Sequence, residues 1–277
     1  MPLRFNHLLA DEGITPADVR LLRHQTGKVP GRTPYSLWRD DPAAFEEYQS
    51  VQVGTLRDRA KFGSPLWASF VAPPGGGTMF VGMYEAALVG PAPEGAVCPL
   101  RREPVPPGCD LYTCRQSNHL ADYAGRLFID WGESARAWVQ RADNQNKVIV
   151  ELARAFQEEV FPGFTKLIRP LSEIETMPAA WKETLRANRG IYLLACPTTR
   201  EHYVGSAYGE DGFIGRWRAY VANGHGGNVG LRARDPSDYL VSILEVVGSS
   251  ATVEEIIALE SNWKLKLHSR DIGLNLN

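Results

Sequence analysis

The chain predicts an α+β protein built from two domains, and three observations carry that expectation. Its 277 residues exceed what a minimal domain needs, and a hydrophobic content of 44% is enough to fill two cores. The first 165 residues hold short, aromatic-rich strand patterns separated by Gly/Pro breaks, which suggest a mixed domain with a barrel-like or open-sheet core. After about residue 188 the pattern changes to strand, strand, helix, strand, helix. The break between them is placed at Phe161-Pro162-Gly163-Phe164, giving domains 1–165 and 188–277 with a helical connector over 166–187.

In the N-terminal part, Thr15 reads as a helix cap, Pro16 suits the first turn, and Val19, Leu21 and Leu22 form an apolar side. A Gly/Pro-broken loop over Gly27 to Tyr35 precedes a helix near Pro42 to Gln52. Leu66 to Val71 and Met79 to Tyr84 read as strands around the loop Pro73-Pro74-Gly75-Gly76-Gly77. A proline-rich stretch covers Pro91 to Gly108, and strand patterns resume at Arg126 to Trp131 and Ala135 to Gln140. Lys147 to Leu152 is a strand or a helix start.

The C-terminal part opens with a helix over Leu171 to Asn188, interrupted near Pro178. Ile191 to Cys196 and His202 to Ser206 read as strands around the polar turn Thr198-Thr199-Arg200-Glu201. Phe213 to Val221 is a helix, and Tyr239 to Val247 a third strand. Thr252 with Glu255 makes a capping box for a helix that runs to about His268.

Composition narrows the class. The net charge is −2; from Lys166 onward there are 13 basic and 13 acidic residues, leaving 17 and 19 before it. That balance weighs against a general coat for nucleic acid, but a groove needs only local arginines such as Arg216 and Arg218. No apolar run reaches the length of a signal peptide or a membrane span, so an intracellular, cytoplasmic protein is expected. Reduced thiols follow for Cys98, Cys109, Cys114 and Cys196. The three closest of these with His119 lack the short knuckle spacing of a structural zinc site.

The chemistry concentrates near the C-terminus. On the last helix Val253, Ile256, Ile257, Trp263 and Leu267 define an apolar stripe, and Glu260 lies within it. An isolated buried carboxylate is costly unless paired or metal-bound. Glu260 is therefore either an edge glutamate that reaches solvent or an arginine, or a metal ligand. Arg216 and Tyr220 are four apart and share a helix face, where a guanidinium can bind phosphate oxygens. Tyr192 and Tyr203 stand on the two strands of one hairpin. A phenol is a poor base near pH 7, but beside a divalent cation it can relay a proton from water. Each tyrosine taken singly also suits cross-strand packing.

Gly190-Ile191-Tyr192, Tyr203-Val204-Gly205, Arg216 with Tyr220, Glu260 and Asn275 together resemble the GIY-YIG nuclease superfamily over about residues 188–277. The resemblance implies a small three-stranded antiparallel sheet flanked by helices. It implies Tyr192 as the prime general base, Tyr203 as its assistant, Arg216 as stabiliser of phosphate charge, and Tyr220 where relatives carry Tyr or His. Glu260 would bind one Mg2+ or Mn2+ ion, and Asn275 would support the site. Val204 stands where the motif has isoleucine, and the loop Tyr208-Gly209-Glu210-Asp211-Gly212 bears on where the arginine helix starts. Arg218, His225 and Asn228 are candidates for contact with the DNA backbone; His225 serves equally to tie down its loop.

The expected function is a metal-dependent DNA endonuclease of restriction or defence, with target choice in the N-terminal domain. A repair or recombination nuclease acting on branched or damaged DNA is the alternative within that class. A non-catalytic nucleic-acid-binding protein on the same fold is the alternative outside it. Trp38, Trp67, Tyr84, Trp131 and Trp138 are read as a base-accepting cage or as core packing. Double-strand cutting by a one-site enzyme favours a homodimer.

Overall fold

The computed structural model describes residues 2–25, 32–133, 137–223 and 239–275. The α+β class is as expected, in two compact units, Met1–Glu159 and Val160–Asn277.

The first unit contains helices α1 (Phe5–Asp11), α2 (Pro34–Asp40), α3 (Pro42–Ser50) and α4 (Leu56–Phe62). Its strands are β1 (Val19–His24), β2 (Val51–Val53), β3 (Leu66–Val71), β4 (Met79–Pro91) and β5 (Cys109–Gln116). Three short ones follow, β6 (Leu127–Ile129), β7 (Val139–Arg141) and β8 (Ile149–Leu152). They form a curled open sheet in the order β2-β5-β4-β3-β1-β7, with β6 paired to β4 and β8 to β6. The helix expected over Thr15 to Leu22 is not formed. A single 3-10 turn at Pro16–Asp18 leads into β1, which is held between β3 (parallel) and β7 (antiparallel). A strand paired on both edges and buried on both faces outweighs the local helix-start signal. The Arg20 side chain, which hides the apolar character of this strand, is disposed of by donating to the Lys61 carbonyl at 2.9 Å.

His24 ends β1 only 3% exposed, against the rings of Phe45, Tyr48 and Trp138. Burial pushes its pKa from 6.5 down to about 4, so it folds as a neutral imidazole. Between those values the unfolded chain binds the proton and the folded chain does not. This contribution to stability is therefore complete above pH 6.5 and is lost as pH falls towards 4, on the order of 3 kcal/mol in all. Urea titrations of the wild type and His24→Phe from pH 7 to pH 5 check this: the wild type falls more steeply.

The second unit contains β9 (Ile168–Pro170), α5 (Ala179–Arg186), β10 (Arg189–Ala195), β11 (His202–Ala207), α6 (Gly212–Asn223), β12 (Leu240–Val247) and α7 (Val253–Lys266). Its antiparallel sheet has four strands in the order β11-β10-β12-β9, one more than expected, because Ile168–Pro170 adds to β12. The expected connector belongs to this unit. Leu171, Ile174, Met177, Trp181 and Leu185 bury into the same core as Tyr192, Phe213 and Trp217. A second, smaller core of Ile191, Val204 and Ile256 lies on the other face of the sheet, under α7.

Candidate active site

The hairpin of β10 and β11 pairs Tyr192 with Gly205, Leu194 with Tyr203 and Ile191 with Ser206. Side chains alternate along a strand, so Tyr192, Tyr203 and Gly205 share one face, and Ile191, Val204 and Ser206 the other. Helix α6 covers the first face, with Phe213, Ile214, Trp217 and Tyr220 buried. The helical spacing of four then brings Arg216 alongside Tyr220, as expected, and the loop before α6 leaves both within reach of the hairpin.

Four of the sequence candidates converge there. The Tyr192 and Tyr220 hydroxyls are 2.8 Å apart, and Arg216 Nε donates to Tyr192 Oη at 3.2 Å. The Arg216 guanidinium lies 5.2 Å from the centre of the Tyr220 ring. The Tyr203 ring meets that of Tyr220 edge-on at 6.3 Å. Burial, and next the Tyr203 phenol, hold the Tyr192 hydroxyl well above the ordinary tyrosine range. Burial, then Tyr192 and Tyr203, do the same for Tyr220. Both are neutral hydrogen-bonding phenols near pH 7. Burial opposes the charge on Arg216, but Tyr192 and Tyr220 more than offset it, and its pKa is raised. No hydrogen bond among the described residues reaches the Tyr203 hydroxyl.

Glu260 is not in that cluster. Helix α7 begins with the expected capping box: Thr252 N donates to Glu255 Oε2 at 2.9 Å and Glu255 N to Thr252 Oγ1 at 3.2 Å. Its inward face carries Ile256, Glu260, Trp263 and Lys264, while Val253 and Ile257 of the expected stripe are 38% and 47% exposed. Glu260 Oε2 accepts the Ser206 hydroxyl, and Oε1 lies 2.8 Å from Lys264 Nζ. Since Ser206 projects from the α7 face of β11, the carboxylate and the phenols meet this strand from opposite sides. On the phenol side the Tyr192 hydroxyl lies against the strand backbone, because an added Cβ at Gly205 would stand 2.4 Å from Tyr192 Oη. Lys264, which sequence reasoning missed, is 4% exposed; its position four after Glu260 allows the pair but does not show that it is buried.

Asn275 acts on the strand itself. Its Oδ1 accepts from Val204 N at 2.9 Å and its Nδ2 donates to Val204 O at 2.8 Å, so one side chain fills the open edge of β11. The clamp holds the residue between Tyr203 and Gly205. Asn275→Ala leaves both backbone groups unpaired and lowers stability by about 2 kcal/mol, read as a shift of the denaturant midpoint. Leu274→Val serves as the control for a simple loss of packing.

Of the remaining candidates, Arg218 grips Glu175 with both arms of its guanidinium at 2.7 and 3.1 Å, and His225 and Asn228 lie outside the described residues. The five N-terminal aromatics do not make one cage. Trp67 and Tyr84 are buried in one core with Trp38 and Trp138 packed against it, while Trp131 belongs to another. The four cysteines are free thiols, and no group of three His, Cys, Asp or Glu side chains among the described residues is arranged for a metal.

Searches against protein-family profiles, curated proteins and solved structures find no match to this chain. The resemblance to GIY-YIG nucleases therefore rests on the motif residues alone. For a divalent cation, Glu260 offers a hard carboxylate beside the Ser206 hydroxyl. That donor chemistry suits Mg2+ or Mn2+, which keep most of their water and use one or two carboxylates. A cation is already at that carboxylate in the form of the Lys264 ammonium.

Proposed function

We propose that the C-terminal unit is a phosphodiester hydrolase of the GIY-YIG type acting on DNA. The observation that carries this reading is the guanidinium of Arg216 set among three phenols on one face of a hairpin. Neutral phenols around a fixed cation suit a phosphate: they donate hydrogen bonds without adding negative charge. Arg216 binds the phosphate and balances charge as the fifth oxygen approaches phosphorus. Tyr203, whose hydroxyl no hydrogen bond among the described residues reaches, touches the attacking water and takes part in moving its proton. Tyr192 and Tyr220 are positioning residues; they orient Arg216 and stay protonated because burial raises their pKa. This distribution gives Tyr203, rather than Tyr192, the contact with water. Glu260, across β11 from these phenols, is the residue that would hold one Mg2+ or Mn2+ ion.

A plasmid-nicking assay of the full chain with and without EDTA tests the reading. Cleavage that depends on a divalent cation and is lost in Arg216→Ala supports it, and an inert protein that still binds DNA favours the non-catalytic alternative. Supplying modified, unmodified and branched DNA side by side separates a restriction role from repair. The N-terminal unit is the proposed source of target choice.

A further inference from the structure

We propose that Lys264 is an internal counter-ion that competes with the divalent cation for Glu260 and so sets the cation affinity of the site. The inference rests on reading Glu260 as a cation ligand. Lysine is seldom buried unless paired, and Lys264 is 4% exposed with its ammonium 2.8 Å from Glu260 Oε1. The two residues are one helical turn apart with the glutamate N-terminal, the favourable order. The other carboxylate oxygen takes the Ser206 hydroxyl, so both oxygens are engaged before any cation arrives.

The charge balance makes Lys264 decisive. No further acid joins Glu260 in a metal-binding group among the described residues, so the carboxylate and the ammonium cancel. A divalent ion entering there meets a neutral pair, and at a few ångströms its repulsion with the ammonium is strong in a poorly screened site. Binding therefore requires the ammonium to withdraw or bears the cost of its presence. Without the ion, the same ammonium holds the carboxylate facing β11 and spares it from being buried unpaired. Removing the positive charge leaves the Glu260 carboxylate without its ammonium partner and the ligand unchanged.

The test is Mn2+ binding to the full chain, followed by paramagnetic resonance of the free ion, for the wild type, Lys264→Met, Lys264→Gln, Lys264→Arg and Glu260→Gln. The expected result is at least tenfold tighter Mn2+ binding in Lys264→Gln and Lys264→Met, and wild-type affinity in Lys264→Arg. Glu260→Gln abolishes the site, alone and combined with Lys264→Gln. Lys264→Gln retains a hydrogen-bond donor for Glu260 and guards against a fold lost through an unpaired carboxylate; circular dichroism confirms that each sample is folded. Unchanged affinity in Lys264→Gln, with binding still dependent on Glu260, overturns the role of Lys264 and leaves the cation reading intact. Equal tightening in Lys264→Arg also overturns it, since the charge is kept. If no variant binds Mn2+ through Glu260, both readings fall.

Discussion

Tyr203→Phe and Arg216→Ala each lower DNA cleavage by the full chain by about 10²–10³-fold, and DNA binding stays within a few-fold of the wild type. The first removes the one phenolic hydroxyl of the cluster that no described residue engages, and the second removes its cation. Glu260→Ala takes away the proposed cation ligand and abolishes cleavage. Tyr192→Phe keeps the buried ring but removes the acceptor for Arg216 Nε, so its effect is smaller, about tenfold, and falls on turnover more than on substrate affinity. Single-turnover cleavage of a labelled duplex measures all four. Wild-type rates in both Tyr203→Phe and Glu260→Ala would sink the nuclease assignment.

The two motif glycines give the second large effect, and they fail differently. Gly190 has φ near +152°, and an added Cβ would lie 2.0 Å from the Glu245 carbonyl oxygen on β12. A backbone neighbour cannot turn aside, so Gly190→Ala forces β10 and β12 apart at their bulge and costs ~3 kcal/mol. Gly205→Ala meets the Tyr192 hydroxyl at 2.4 Å and the Tyr203 ring at 2.8 Å. Its cost is a displaced phenol, about 1–3 kcal/mol, together with loss of cleavage. Thermal melts paired with the cleavage assay separate the two. Gly190→Ala lowers the melting temperature more, and Gly205→Ala retains a folded protein that does not cut.

The hairpin, the Arg216/Tyr220 pair and the capping box were legible because each is a local pattern of fixed period. Strand patterns placed both tyrosines on one hairpin, and helical spacing joined the arginine to the third phenol, while the register that sets the tyrosines on one face comes from the structure. The inward position of Glu260 was legible for the same reason, but its partner was not. A lysine at that spacing reads as solvated surface, and only packing of α7 against β11 shows that it is buried. In the first unit, Thr15-Pro16 carries a helix-start signal that lasts one turn, because two neighbouring strands compete for the residues that follow. Strand β9 escaped notice because three residues ending in proline leave no alternation to read. For the N-terminal aromatics the core-packing alternative holds, but residue type alone does not say which of two cores a ring will fill.

Strand β11 serves two chemistries with one backbone, phenols on one side and a carboxylate tie on the other. Moved along by a single residue, it would deliver Tyr203 to the carboxylate and Ser206 to the phenols, with most hairpin bonds remade. Such a product would be folded and inert. Asn275 needs a residue whose N–H and C=O both face the open edge, and a slip of one residue turns them away, so this side chain proofreads the alignment of the strand as well as stabilising its edge.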